Sequence, residues 1–154
     1  MNPQAPQAHD VAPREKIGAW ADLPDTQAHP GDGGQRKRLP DTRQSLTRKD
    51  EAAGFDVYIQ VGFYPDSCVP GELFVKIGKA GSDIGGMFDA LATVISISLQ
   101  YGARWDKIVS KMKRYRFGLD PTDECPSILH AVIVAADAMV RQHAGNHIHG
   151  KETK

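Results

Sequence analysis

Two segments rich in β-branched and aromatic residues set the strongest limit on how this chain folds. Residues 55–64 read Phe-Asp-Val-Tyr-Ile-Gln-Val-Gly-Phe-Tyr, and in residues 72–79 Leu73, Val75 and Ile77 alternate with Phe74 and the lysine positions. Between them Pro65, Asp66 and Ser67, then Pro70 and Gly71, supply turn chemistry. The pair is expected to form an antiparallel hairpin with a loop of about seven residues, a length that leaves the register open.

Beyond the second strand the period of the apolar residues changes. Met87, Phe88, Leu91, Val94, Ile95 and Ser98 recur at spacings of three and four, which predicts a helix over residues 87–101 with Ser82 or Asp83 as its cap. A strand over 93–101 competes, because Ile95, Ile97, Leu99 and Tyr101 also alternate. Gly102 stands where a helix C-terminus needs a left-handed residue, and this favours the helix. A second helix is expected over 105–115. A third is expected over 126–142, with Pro126 at its first position and Ile128, Ala131, Val132, Ala135, Met139 and Val140 as its apolar stripe. The order is therefore β, β, α, α, α: an α+β fold in which a short antiparallel hairpin or small sheet packs against about three helices.

The ends of the chain have a different composition. Six of the ten prolines lie within the first 40 residues, with few apolar side chains beside them, so residues 1–36 are expected to be a disordered arm. Its one apolar island, residues 17–23 around Trp20, is a candidate docking motif. Residues 144–154 are polar and are expected to fray as a disordered tail, which leaves residues 37–143 as the folded domain. No run of about 18 apolar residues occurs and the first 30 positions hold no hydrophobic stretch, so neither a membrane span nor a secretory signal is expected and the cytoplasm is the default location. Cys68 and Cys125 form no C-x-x-C pair, which excludes a cysteine-based zinc module.

Nineteen basic and nineteen acidic residues cancel overall, but they are segregated along the chain. Residues 36–49 carry six basic side chains against one acidic, residues 50–103 two against seven, and residues 104–117 six against one. Two basic blocks thus flank an acidic middle, to be neutralised either within the fold or by an external anion. For an anion or nucleotide the candidate residues are Arg43, Lys49, Lys79, Gly81 and Ser82 around the Gly-rich loop, where backbone N–H groups at a helix start could cradle a phosphate. Lys107, Lys111 and Arg114, at spacings of four and three on the second helix, complete the set. The loop matches neither phosphate-binding glycine pattern, and a tight turn packed at the start of an apolar helix is the favoured reading. Other chemistry is thinly supported. Cys125 precedes a helix start with His130 five residues on but no third group, and His143, His147 and His149 lie at the polar C-terminus, so no catalytic or metal-binding residue is assigned.

Seven blocks taken together carry a family resemblance: Leu39-Pro-Asp-Thr-Arg-Gln-Ser-Leu-Thr-Arg-Lys49, Tyr58-Ile-Gln-Val-Gly62, Pro70-Gly-Glu-Leu-Phe-Val75, Lys79-Ala-Gly-Ser82, Met87-Phe-Asp-Ala-Leu-Ala92, Ile95-Ser-Ile-Ser-Leu-Gln-Tyr-Gly102 and Arg116-Phe117. In order and spacing they resemble the C-terminal TSCPD domain of adenosylcobalamin-dependent ribonucleotide reductases. The resemblance implies a role in deoxyribonucleotide synthesis. The catalytic barrel of those enzymes does not fit in 154 residues, their radical chemistry needs at least three placed cysteines where this chain has two, and the name-giving motif is reduced to Thr122-Asp-Glu-Cys125-Pro-Ser127. A stand-alone copy is therefore expected, with no cofactor of its own although the full-length relatives use adenosylcobalamin, and with no activity alone. It would bind a large reductase chain or a nucleotide. The alternative is a free-standing nucleic-acid-binding protein that uses the two basic blocks. An exposed hairpin edge would also permit a homodimer.

Overall fold

The computed structural model describes residues 34–78, 81–115, 117 and 127–151. Three strands, β1 (Ser45–Ala52), β2 (Phe55–Phe63) and β3 (Pro70–Ile77), form one antiparallel sheet in the order β1-β2-β3. Helices α1 (Asp83–Gln100), α2 (Trp105–Met112) and α3 (Ile128–Lys151) follow. The α+β class is as expected, with one strand more than the hairpin.

The added strand is β1, which falls in the first basic block. It joins β2 through Ala53 and Gly54, both at positive φ (50° and 77°), the two-residue turn whose twist matches a hairpin. Only Leu46 and Ala52 give it an apolar signal, and its charged remainder suits an edge strand open to water. In β2 the alternation is clean: Val57, Ile59, Val61 and Phe63 are buried, while Asp56 and Tyr58 face out. β3 pairs Leu73 with Val61, Val75 with Ile59 and Ile77 with Val57, so the apolar residues of both strands share one face.

α3 crosses that apolar face, α2 packs on α3, and α1 lies along β3. Ile133, Ala136 and Val140 of α3, with Leu99 of α1, are fully buried among the sheet residues. The helical reading of residues 93–101 holds. Ser82 Oγ accepts from the Gly85 N–H at 3.2 Å to cap α1. At its other end the Ala103 N–H bonds the Ser98 carbonyl (2.9 Å) and the Gly102 N–H bonds the Leu99 carbonyl (3.0 Å), with Gly102 at φ 97°. That double bond pattern stops a helix at a left-handed residue.

Two helix ends differ from expectation. α2 stops at Met112, three residues short, with Arg114 and Tyr115 in the turn that follows. α3 continues nine residues beyond Gln142 to Lys151, so the segment expected to fray from Gly145 is helical there, and Ala144 is buried. The start of α3 is capped by Ser127, whose Oγ accepts from the His130 N–H at 3.0 Å. Pro126 and Cys125 lie outside the described residues, as does the arm before residue 34.

Of the two sheet edges, β1 pairs with no further strand among the described residues, while β3 is met by a helix. Ser96 of α1 accepts from the Leu73 N–H at 2.9 Å, and its hydroxyl lies 3.1 Å from the Leu73 carbonyl. A helix side chain thus occupies the β3 edge in place of another strand.

Candidate functional site

The blocks that are separate in sequence converge at one end of the sheet. Residues 36–44 run as a strap over the β2–β3 end and the C-terminus of α1. The Lys37 N–H bonds the Gln100 carbonyl (2.9 Å), and the Tyr64 hydroxyl donates to the Lys37 carbonyl (2.5 Å). Buried Gln100 uses both ends of its amide, accepting from Arg36 Nε at 2.9 Å and donating to the Gly71 carbonyl at 3.1 Å. Burial raises the Tyr64 phenol above its ordinary value, which keeps it a neutral donor.

At the centre of this junction Arg43 grips Glu72 with two nitrogens, Nε on Oε1 and Nη2 on Oε2, the latter at 2.8 Å. Arg43 Nη1 also donates to the Asp41 carbonyl at 3.0 Å. The Glu72 side chain is 8% exposed, and its hydrogen bond holds the Arg43 guanidinium charged even more firmly than usual. Gly62, opposite Glu72 in the register, makes the room: a Cβ there would lie 2.3 Å from Glu72 Oε1 and 2.7 Å from its Cγ. At Gly71 a Cβ would meet the Leu39 side chain at 2.3 Å, so the strap sits directly on this glycine.

The other predicted site residues are dispersed. Lys49, at the far end of β1, pairs with Asp56 at 3.1 Å and lies over the Tyr58 ring; Asp56 raises its proton affinity. Gly81 has φ 79° and Ser82 caps α1, while Lys79 is outside the described residues. Lys107 and Lys111 are exposed on α2 and Arg114 is exposed just beyond it; none makes an ion pair among the described residues. Arg43 and Lys49 thus stand toward opposite ends of β1, each committed to a carboxylate of the fold.

Three constellations escaped the sequence reading. Asp137, 3% exposed on α3, accepts from Trp105 Nε1 at 3.1 Å, Lys113 Nζ at 2.9 Å and Arg141 Nε at 3.2 Å, which pins α2 to α3. A single acid inside the apolar run of residues 131–140 was the available signal, because a buried carboxylate must be paired. The His143 ring stacks on Phe63 at 3.8 Å, with Nε2 3.4 Å from the Ser67 carbonyl, and burial lowers its proton affinity. The third is the sheet face turned away from α3. Beyond the strap the described residues leave it open, presenting Thr47, Lys49, Tyr58, Gln60, Phe74 and Lys76, with Tyr58 and Phe74 close to half exposed. Lys76 is held there by Asp89 of α1 at 2.8 Å.

Comparison with known proteins places this architecture. The TSCPD domain family matches residues 30–137, from just before the strap to Asp137. The chain belongs to the TSCPD domain family. Curated proteins similar to this TSCPD domain are long. A vitamin B12-dependent ribonucleotide reductase of Rhodopirellula baltica is 51% identical over 83 residues, which is 54% of this chain and 8% of that protein. Its counterpart in Streptantibioticus cattleyicolor is 40% identical over 82 residues, 53% of this chain and 14% of the relative. The Bradyrhizobium diazoefficiens protein of the same name is 32% identical over 83 residues, 54% of this chain and 6% of the relative. No solved structure matches. The TSCPD domain thus corresponds to a small part of each relative, and Arg43, Gly62, Gly71, Glu72 and Gln100 of the junction all fall within the matched family segment. No helix of the described residues is long and apolar enough to cross a membrane.

Proposed function

We propose that this TSCPD domain is an accessory part of a ribonucleotide reductase system, docking on a large reductase chain in support of deoxyribonucleotide synthesis. The observation that carries the reading is the open sheet face, built by the same blocks that form the junction. Tyr58 and Gln60 belong to the block that ends at Gly62, and Phe74 to the block that begins at Pro70. Aromatic side chains among paired charges on a flat surface are the composition of a protein contact rather than of a solvated face. In the relatives the corresponding segment is covalently joined to most of a reductase.

Vitamin B12 is named for the relatives, and the described imidazoles each have their own setting in this fold. His130 Nδ1 lies against the Lys113 carbonyl, His143 is stacked on Phe63, and His147 Nε2 is buried. No step of the proposal runs through that cofactor.

The test is affinity purification of the tagged chain from its host at moderate salt after nuclease treatment. Recovery of a large reductase chain in near-stoichiometric amount, lost when Tyr58 and Phe74 are both changed to serine, is the expected result. Failure to recover it with the intact surface overturns the reading.

A second reading rests on Lys107, Lys111 and Arg114. These are the predicted cations that find no carboxylate among the described residues, and they adjoin exposed Tyr115 and Phe117. A nucleotide or single-stranded nucleic acid bound there, with the Gly81–Ser82 loop as a separate phosphate contact, would lose affinity steeply with salt. Apolar docking would not. Charge reversal of the three cations that leaves binding of both ligands intact would eliminate this reading.

A further inference from the structure

Helix α1 is apolar on both sides. Its inner face, with Ala92, Ile95 and Leu99, is buried against the sheet. Its outer face carries Met87, Ala90, Val94 and Ile97, with Tyr101 at the C-cap, spaced 3-4-3-4; Met87 is 72%, Val94 60% and Tyr101 51% exposed, and Ile97 is partly buried. Between Met87 and Tyr101 this stripe holds no charged residue and extends about 21 Å along the helix. The 3-4 spacing is the seam by which one helix packs along another, and a helix apolar all round is ordinarily covered on every side.

We infer that α1 is the contact between two copies of this chain, paired antiparallel along the stripe. The charges at the two ends of the helix select both the partner and the direction. Asp83, exposed in the first turn, makes the N-terminal end acidic, while Asp89 is already paired with Lys76. The C-terminal end is basic, because the strap brings Arg36 and Lys37 onto Gln100, while Arg104 beyond it is paired with Asp106. Antiparallel pairing sets each acidic end beside the basic end of the other copy and opposes the two helix dipoles. Parallel pairing would set like charges together. Val94, midway between Met87 and Tyr101, lies at or next to the twofold axis, where the surface must be complementary to itself. At the β3 edge Ser96 takes the place of a further strand, and the helix that carries it supplies this face.

This inference does not depend on the reductase reading and is tested without a reductase. The full chain at about 100 μM, a concentration that populates a dimer of micromolar affinity, is expected to sediment at twice its 16.8 kDa. Val94→Glu places two carboxylates at the axis and is expected to weaken association by roughly tenfold or more, with an unchanged far-ultraviolet spectrum because Val94 touches little of its own fold. Val94→Cys is expected to add a cross-linked dimer that the parent chain, with Cys68 and Cys125 alone, does not give. Tyr58→Ser with Phe74→Ser should leave the dimer intact. A parent chain that sediments as a monomer overturns the inference, as does a Val94→Glu variant that stays dimeric. If the parent is a monomer and Val94→Glu exposes residues 1–33 to protease, the stripe belongs to the chain's own N-terminal segment and the inference fails. It fails equally if the parent is a monomer and Val94→Glu abolishes reductase capture.

Discussion

Glu72 and Asp137 are both buried carboxylates held by an arginine, but they are held in different ways. Glu72 depends on one cation, Arg43, brought 29 residues along the chain by a strap and seated against a glycine. Asp137 shares its charge among Lys113, Arg141 and the Trp105 indole, so any one donor leaves two behind. The first arrangement fixes a single geometry at the price of redundancy; the second tolerates loss. A buried charge is costly only while it is uncompensated, so equal burial does not mean equal sensitivity.

The largest expected effect breaks that comparison at its weaker side. Arg43→Ala strands the Glu72 carboxylate and is expected to cost about 3 kcal/mol, read as a fall in the urea midpoint at unchanged slope. A loss below about 1 kcal/mol would mean that Glu72 reaches water without its partner. At Asp137 the equivalent single change, Lys113→Ala, is expected to cost only about 1 kcal/mol. Adding Arg141→Ala should then cost more than the sum of the two singles, because the carboxylate is left with the indole alone. Strict additivity would show that the Asp137 donors act independently.

Gly62→Ala sharpens the Glu72 side. The new methyl meets the Glu72 side chain, for a cost of about 2 kcal/mol, and that cost should largely vanish when Glu72 is already alanine. A penalty that persists in the double variant would place the strain in the backbone of β2 instead.

The smallest effect separates both carboxylates from mild-acid sensitivity. Burial and the neighbouring His147 depress the His143 imidazole in the folded state, so as pH falls the unfolded chain takes up the proton first. The stability involved is complete above about pH 6.5 and is lost progressively below it. The melting temperature is expected to fall by a few degrees between about pH 7.5 and 5.5, and His143→Gln should flatten that slope. A slope that survives the substitution assigns the acid sensitivity to other groups.

Much of the fold was legible because local patterns carried it. The two-residue period of 55–63 and 73–77, the three-and-four spacing of α1 and the stop at Gly102 each follow from one short segment. β1 was hidden because an edge strand facing water needs little apolar signal, and its turn is Ala-Gly, with Ala53 in a conformation alanine rarely adopts. α3 outran its predicted end because packing against the sheet and Ala144 outweighs the poor helix preference of the residues that follow. The family, too, was readable from seven blocks of residues, and the match over residues 30–137 bears it out.

The partners of the charges could not be read in this way. The sequence alone determined β2, β3, the presence of three helices and how much charge each segment holds, since these depend on neighbours within a few positions. That Arg43 meets Glu72 across Gly62, that Asp137 meets Lys113 rather than leaving a third basic face, and that α1 turns an uncharged stripe outward were decided only by the tertiary structure. Electrostatic and packing partners are set by distance in space, and residues far apart in sequence come within reach only after the sheet and helices have assembled.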